Sequence, residues 1–277
     1  CVSNRTGTTK SPSGGLAVAL SAALRQRGGI WFGWNGQIAE EGASAGEPDI
    51  THEENVEIVA GAMTRQEYEN YYLGFSNSVL WPVCHHRLDH VSFRREYVDE
   101  YRRVNRRFAH QLAPRLREGD LVWVHDYHFL LLGGILREEG WQGKCGFFLH
   151  IPFPAPEVFR AIPEHRKLAR GLCAYDVVGL QCRKDLANLA QYLEEEFGAE
   201  EQPDGKFRVD GRLVHLLHCP IGIDSAGFAE VATGEPAIRA SARVSRFLGG
   251  RDLVIGVDRM DYSKGLPQRF EGMANLF

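Results

Sequence analysis

Arg259 and Lys264 lie in the run Asp258-Arg259-Met260-Asp261-Tyr262-Ser263-Lys264-Gly265, which follows an apolar stretch and opens a helical pattern. Two cations at a helix N-terminus, where backbone N–H groups and the helix dipole add to their charge, form a compact pocket for a diphosphate. At an effective dielectric of about 20, a cation about 4 Å from one phosphate charge is worth up to about 4 kcal/mol, so two such contacts stabilise a leaving nucleotide without a metal. A third cation, Arg5, follows the opening run Val2-Ser3-Asn4. At the end of a first strand it would stand on the carboxyl edge of an open α/β sheet, where ligands bind. Beyond it, Ser11-Pro12-Ser13-Gly14-Gly15 leads into a helical pattern. Gly14 and Gly15 allow backbone N–H groups to approach an anion, although a glycine pair without a G-x-G-x-x-G motif is more often a plain turn.

Two further clusters follow apolar runs: His125-Asp126-Tyr127-His128, and His150-Ile151-Pro152-Phe153-Pro154. Asp126 and His150 are suited to hydrogen-bonding a polyol, and the prolines fix the loop behind His150. His125 and His128 invite a metal, but no third ligand has recognisable spacing, so hydrogen-bonded structure is expected and no metal. The aromatics Tyr71-Tyr72, Trp81 and Trp31-Phe32-Gly33-Trp34 offer flat faces and N–H or O–H donors to a sugar ring, or pack in the core.

These residues need strands to end where they begin. Short apolar runs at 30–32, 56–59, 121–124, 146–149, 177–180, 213–217 and 253–257 read as strands, and 2 opens the tail of another. Helical periodicity covers 16–25, 65–75, 93–116, 130–138, 163–173, 184–197 and 236–247. The alternation predicts an α/β fold with a doubly wound parallel sheet. Phe207-Arg208-Val209, the Asp210-Gly211 turn and the run from Leu213 read as a hairpin attached to it. Thr233-Gly234-Glu235-Pro236 is the best domain boundary, giving residues 1–234 and the opening of a second domain over 235–277.

The chain has 277 residues, 44% hydrophobic and 25% charged, with a net charge of −4. That composition excludes disorder and fibres and argues against a polyanion partner. The arginines between Arg94 and Arg107 alternate with Glu96, Asp99 and Glu100, so they read as a solvated, salt-bridged face, with Asp99 spaced to meet Arg103. Six scattered cysteines without a C-x-x-C pattern fit reduced thiols and a cytoplasmic protein. The apolar stretch at 14–24 is too short to span a bilayer, and it reads as a loop-to-helix junction.

Taken in order, Ser3-Asn4-Arg5, the Gly14-Gly15 loop, Trp31-Phe32-Gly33-Trp34, Tyr71-Tyr72 leading to Leu80-Trp81-Pro82, Trp123-Val124-His125-Asp126-Tyr127-His128, Phe147-Phe148-Leu149-His150-Ile151-Pro152-Phe153-Pro154, Pro220-Ile221-Gly222-Ile223 and Arg259-Met260-Asp261-Tyr262-Ser263-Lys264-Gly265 resemble trehalose-6-phosphate synthases. These are retaining glycosyltransferases with two Rossmann-like domains. The resemblance implies transfer of glucose from UDP-glucose to glucose 6-phosphate, with small-molecule partners, no cofactor and no nucleic acid or membrane; a homo-oligomeric state is left open. It implies that Arg5, Tyr72 and Trp81 contact the acceptor phosphate and sugar, with Trp34 and Asp126 beside that sugar. Gly15 would donate its backbone N–H to the donor phosphates, His150 would contact the donor glucose, and Arg259 with Lys264 would clamp the diphosphate. A related enzyme using glycerol 3-phosphate as acceptor, and a non-catalytic sugar-phosphate-binding module, are the alternatives. The second reflects further second-domain contacts that the resemblance places beyond residue 277.

Overall fold

The computed structural model describes residues 1–6, 15–40 and 45–276. They form two compact units, Cys1–Pro220 and Ile221–Phe277. The run read as the boundary lies inside the second unit, where Gly234 separates two helices.

The first unit is built on one ten-stranded sheet: β1 (Val2–Arg5), β2 (Gly29–Ile38), β3 (Asp49–Glu53), β4 (Val56–Met63), β5 (Leu121–His125), β6 (Lys144–Leu149), β7 (Val177–Leu180), β8 (Glu200–Glu201), β9 (Lys206–Val209) and β10 (Arg212–His218), in the order β3-β4-β2-β1-β5-β6-β7-β10-β9-β8. The seven central strands, β4 to β10 in that order, run parallel. The chain winds outward from β1 through β2 to β4, then returns to β5 and winds the other way. This reversal places a topological switch point between β1 and β5, and the crevice outside their carboxyl ends is where open α/β sheets bind ligands. Arg5 ends β1 and His125 ends β5.

Strands covered on both faces read as continuous apolar runs; β7 (VVGL) does so, and β4 (VEIVAGAM) does so after Glu57. One face of the sheet near β2 and β4 is covered by α1 (Gly15–Arg27), whose Leu20 and Leu24 pack with Trp31, Val56, Ile58 and Ala60. The larger core lies on the opposite face under α3 (Arg95–Leu112), α4 (Leu132–Glu138), α6 (His165–Cys173) and α7 (Arg183–Phe197), after the short α2 (Trp81–Cys84) and α5 (Pro156–Phe159). The antiparallel β9–β10 hairpin is present as expected. β3 was not expected: its residues, Asp-Ile-Thr-His-Glu, are mostly polar because it is an edge strand, antiparallel to β4, and edges carry charge that discourages further pairing.

Residues 65–75 were expected to be an α-helix. Instead, Glu67–Leu80 is a π-helix, and the Trp81 N–H at its end donates to the Ser76 carbonyl, five residues back. Its buried residues are Glu67, Tyr71, Gly74, Phe75, Ser76, Val79 and Leu80, which leaves Tyr72 on the other side of the helix from Tyr71. Such widened turns are frequent at functional sites.

The Arg-rich face is paired, though not as its spacing suggested. Arg107 makes a two-pronged contact with the buried Glu67 (2.8 and 3.1 Å), Arg103 pairs with the buried Glu100, Arg102 with Glu164, and Asp99 with Arg102 rather than Arg103.

The second unit contains α8 (Ser225–Thr233), α9 (Glu235–Leu248), a 3-10 turn at Tyr262–Lys264 and α10 (Leu266–Leu276). None of its described residues is buried. The expected strand at 253–257 is absent from it. A strand needs a neighbour to pair its N–H and C=O groups, and Val257 is 84% exposed with no strand beside it among the described residues. No helix among the described residues is long and apolar enough to cross a membrane. All six cysteines are free.

Candidate active site at the strand carboxyl ends

Arg5 leaves β1 exposed, and its guanidinium carbon lies 5.8 Å from the centroid of the Trp34 ring, a cation–π arrangement. Gly36, at φ 87°, makes room for it: a Cβ there would fall 2.6 Å from the guanidinium. Trp34 is buried and donates its Nε1–H to the Gln37 carbonyl at 2.7 Å, so that N–H is already taken.

From Trp34 a chain of ring contacts runs through the crevice. Trp34 meets Tyr72 at 5.4 Å, Tyr72 stacks on His128 at 5.9 Å with 14° between planes, His128 meets Tyr127 at 4.1 Å, and Tyr127 meets Trp81 at 5.7 Å. Tyr72 and Trp81 are half-buried, with face remaining for a ligand. Tyr68, one turn before Tyr72 and stacked on it at 5.6 Å, belongs to the same wall; its spacing of four residues along a helix could have revealed it.

Three of the aromatics singled out as possible sugar platforms are core instead, one of them Phe32, which packs edge-on against Phe108. Trp31 is fully buried and donates to Ser3 Oγ at 2.8 Å. Tyr71 is equally buried, and its hydroxyl donates to Asn4 Oδ1 at 3.2 Å and reaches the His128 carbonyl at 3.4 Å. Adjacent helix positions point to different sides, so Tyr71 and Tyr72 cannot share a role.

Behind the rings lies a polar corner made by the ends of β5 and β6. Asp126 adopts φ 74° and ψ 166°, a region that is almost glycine's alone. The turn brings its Oδ1 to the N–H groups of Tyr127 (3.1 Å) and His150 (3.3 Å), while its own N–H donates to the Phe148 carbonyl. Burial pushes the Asp126 carboxyl up to about 7, against the pull of those two N–H groups. His125 Nδ1 lies 3.0 Å from His150 Nε2. Burial holds both imidazoles neutral, lowering His150 to about 4 and His125 well below its usual value, the latter with help from His150. The weighed His125 and His128 metal pair is not assembled: His125 turns to His150, and His128 is sandwiched between tyrosines. Among the described residues no three His, Cys, Asp or Glu side chains gather around one point.

His128 is 6% exposed, and neither ring nitrogen has a hydrogen-bond partner among the described residues. Burial lowers it to about 3. The unfolded chain accepts a proton there below about pH 6.5 that the folded chain refuses, so stability falls as pH drops from about 6.5 toward about 3, by about 1.4 kcal/mol per pH unit. A His128→Leu variant is expected to remove about 2 kcal/mol of the stability loss between pH 7.5 and pH 5. Thermal unfolding at the two pH values checks this; equal acid losses in wild type and variant would contradict it.

In the second unit, Asp261 accepts the Ser263 N–H at 2.9 Å and stands 3.6 Å from the Arg259 guanidinium. Lys264 closes the 3-10 turn, and Gly265, at φ 62°, leads into α10. Arg259 and Lys264 are both exposed on this turn. Gly14 lies outside the described residues, and Gly15 opens α1.

A doubly wound sheet with a cation, a wall of aromatic rings and a polar corner at its switch point defines a class, the open α/β proteins that take their ligands at strand carboxyl ends. The family is more particular: the model described as Glycosyltransferase family 20 matches residues 2–277, and the chain belongs to that family. It is 40% identical to the trehalose-6-phosphate synthase of Sodalis glossinidius (strain morsitans) over 99% of its own length and 58% of that protein's. It superposes with a TM-score of 0.88 and 42% identity on a UDP-forming alpha,alpha-trehalose-phosphate synthase from Burkholderia vietnamiensis, covering 98% of this chain and 58% of that one. With the Burkholderia xenovorans enzyme solved in complex with glucose-6-phosphate the TM-score is 0.89 at 39% identity, covering 99% of this chain and 61% of that one. The chain thus spans somewhat over half the length of these relatives.

Proposed function

We propose that the chain carries the acceptor-binding part of a retaining glucosyltransferase that joins glucose from UDP-glucose to glucose 6-phosphate, giving trehalose 6-phosphate and UDP. The observation that carries this reading is the continuous run Arg5–Trp34–Tyr72–His128–Tyr127–Trp81 at the β1/β5 switch point, a cation at one end of an aromatic wall. It suits a phosphate followed by a sugar ring, and the names of the relatives point to the same substrates.

In this reading Arg5 pairs with the acceptor phosphate, Tyr72 and Trp81 bound its sugar, and Trp34 supports Arg5 from beneath. Asp126 accepts a hydrogen bond from an acceptor hydroxyl through Oδ2, since its described hydrogen bonds fall on Oδ1. His150 contacts the donor glucose. Arg259 and Lys264 stabilise the departing diphosphate, and the backbone of the Gly14-Gly15 loop assists. The acceptor hydroxyl attacks from the face the phosphate leaves, and a phosphate oxygen takes its proton. The polar corner fits this better than a glycosidase mechanism, because it offers one carboxylate among neutral imidazoles where glycosidases need a facing carboxylate pair. Catalysis then rests on positioning and on electrostatic stabilisation of the leaving group. We assign that stabilisation to the two cations, with no resident metal or cofactor, and place the reaction in the cytoplasm, where free thiols persist.

The complete gene product, given UDP-glucose with glucose 6-phosphate and glycerol 3-phosphate in equal amounts, is expected to yield trehalose 6-phosphate and UDP. Product from glycerol 3-phosphate alone would overturn the choice of acceptor, and binding without turnover would favour a sugar-phosphate-binding module.

A further inference from the structure

His125 is 1% exposed, ends β5, and points Nδ1 at His150 Nε2 across 3.0 Å. Nothing in the reading above gives it a task. Both rings are neutral, so a single proton lies between them, and two arrangements are open. If His150 donates, His125 must carry its own proton on Nε2, a buried atom with no partner among the described residues. If His125 donates from Nδ1, that buried Nε2 is a bare lone pair. Orphaned buried N–H groups are rarer than under-satisfied acceptors, so the second arrangement is favoured.

The consequence falls on His150. Once its Nε2 accepts from His125, the neutral imidazole must carry its proton on Nδ1. Nδ1–H is then the donor that His150, still partly exposed, presents to a ligand oxygen. The Asp126 carboxylate holds the His150 backbone N–H at 3.3 Å, so the main chain and the ring are fixed by separate partners.

We propose that His125 is a positioning residue that sets the tautomer of His150, making it a neutral Nδ1–H donor to a hydroxyl oxygen of the sugar bound at the β5 and β6 ends. The ligand half of this statement rests on the reading of His150 as a donor-glucose contact; the tautomer half does not.

Imidazole nitrogens labelled with 15N distinguish the tautomers, because a protonated ring nitrogen resonates far from an unprotonated one. His150→Gln identifies the His150 signals in the spectrum of the folded chain. The expected result is a protonated Nδ1 and an unprotonated Nε2 on His150. His125→Asn should keep that pattern, since the amide nitrogen of Asn stands where Nδ1 stood and still donates. His125→Leu should shift both His150 signals toward positions averaged between tautomers. In the complete gene product His125→Leu should lower kcat/KM for UDP-glucose by about fivefold to tenfold, one weakened neutral hydrogen bond, and His125→Asn should restore most of it. A protonated Nε2 on His150 in the wild-type chain overturns the proposal outright, and so does a His150 pattern unchanged by His125→Leu. The predicted tautomer together with no UDP-glucose turnover would count against the glucosyltransferase reading instead.

Discussion

Replacing Asp126 by glycine is expected to make the folded chain more stable by about 1–2 kcal/mol above pH 7 while lowering transfer by about 10²-fold. Stability and activity part company here because two features of the wild-type residue work against the fold. Its φ of 74° with ψ 166° belongs to glycine's territory and costs about 1 kcal/mol or more in any residue with a Cβ. Its carboxyl, pushed up to about 7, is costly to ionise inside the protein. The folded value lies above the unfolded one of about 3.9, so the cost is absent in acid, grows as pH rises from about 4 to about 7, and is full above that, at up to about 4 kcal/mol. Partial exposure of the residue screens about half of this. Against these gains stand the lost bonds to the Tyr127 and His150 N–H groups and the greater freedom of glycine in the unfolded chain. Asp126→Asn separates the contributions: it removes the charge and keeps the strained turn. Unfolding curves at pH 5 and pH 8 for the three proteins decide the matter. A glycine variant less stable than wild type at pH 8, or one with full activity, would contradict the account.

Replacing Arg5 by alanine is expected to weaken glucose 6-phosphate binding by about 10²-fold, the worth of a charge-assisted contact to a phosphate dianion. Stability should change by less than about 0.5 kcal/mol, because Arg5 is exposed and, among the described residues, its ring contact is with Trp34. Arg5→Lys should recover the charge but not the planar fork that lies over the indole, and so only part of the affinity.

The strands that carry this site were legible because their residues are apolar even where one face stays open, as at Leu121 and Trp123: 121–124, 146–149 and 177–180 read as apolar runs and became β5, β6 and β7 almost residue for residue. β3 was illegible for the converse reason, since an edge strand does not need apolar residues. The run 253–257 has the composition of a strand but no described neighbour to complete its hydrogen bonds. Composition marked the aromatics but could not sort them: Tyr71 and Tyr72 are identical in type and adjacent, and only the packing of the helix that carries them buries one and leaves the other half-buried. His125 and His128 suggested a shared metal because they are close in sequence, whereas the partner of His125 lies 25 residues on, across a strand pair. The positive φ of Asp126 had no sequence signal of the kind that a glycine would have provided.

The central claim is that the switch-point crevice of the first unit recognises a phosphorylated hexose through Arg5. Calorimetric titration of the folded chain with glucose 6-phosphate and, separately, with glucose tests it most directly. Saturable binding of the phosphate ester, at least about tenfold tighter than glucose and reduced to the level of glucose by Arg5→Ala, is the predicted result. Equal affinity for the two sugars, or glucose 6-phosphate binding untouched by Arg5→Ala, would contradict it.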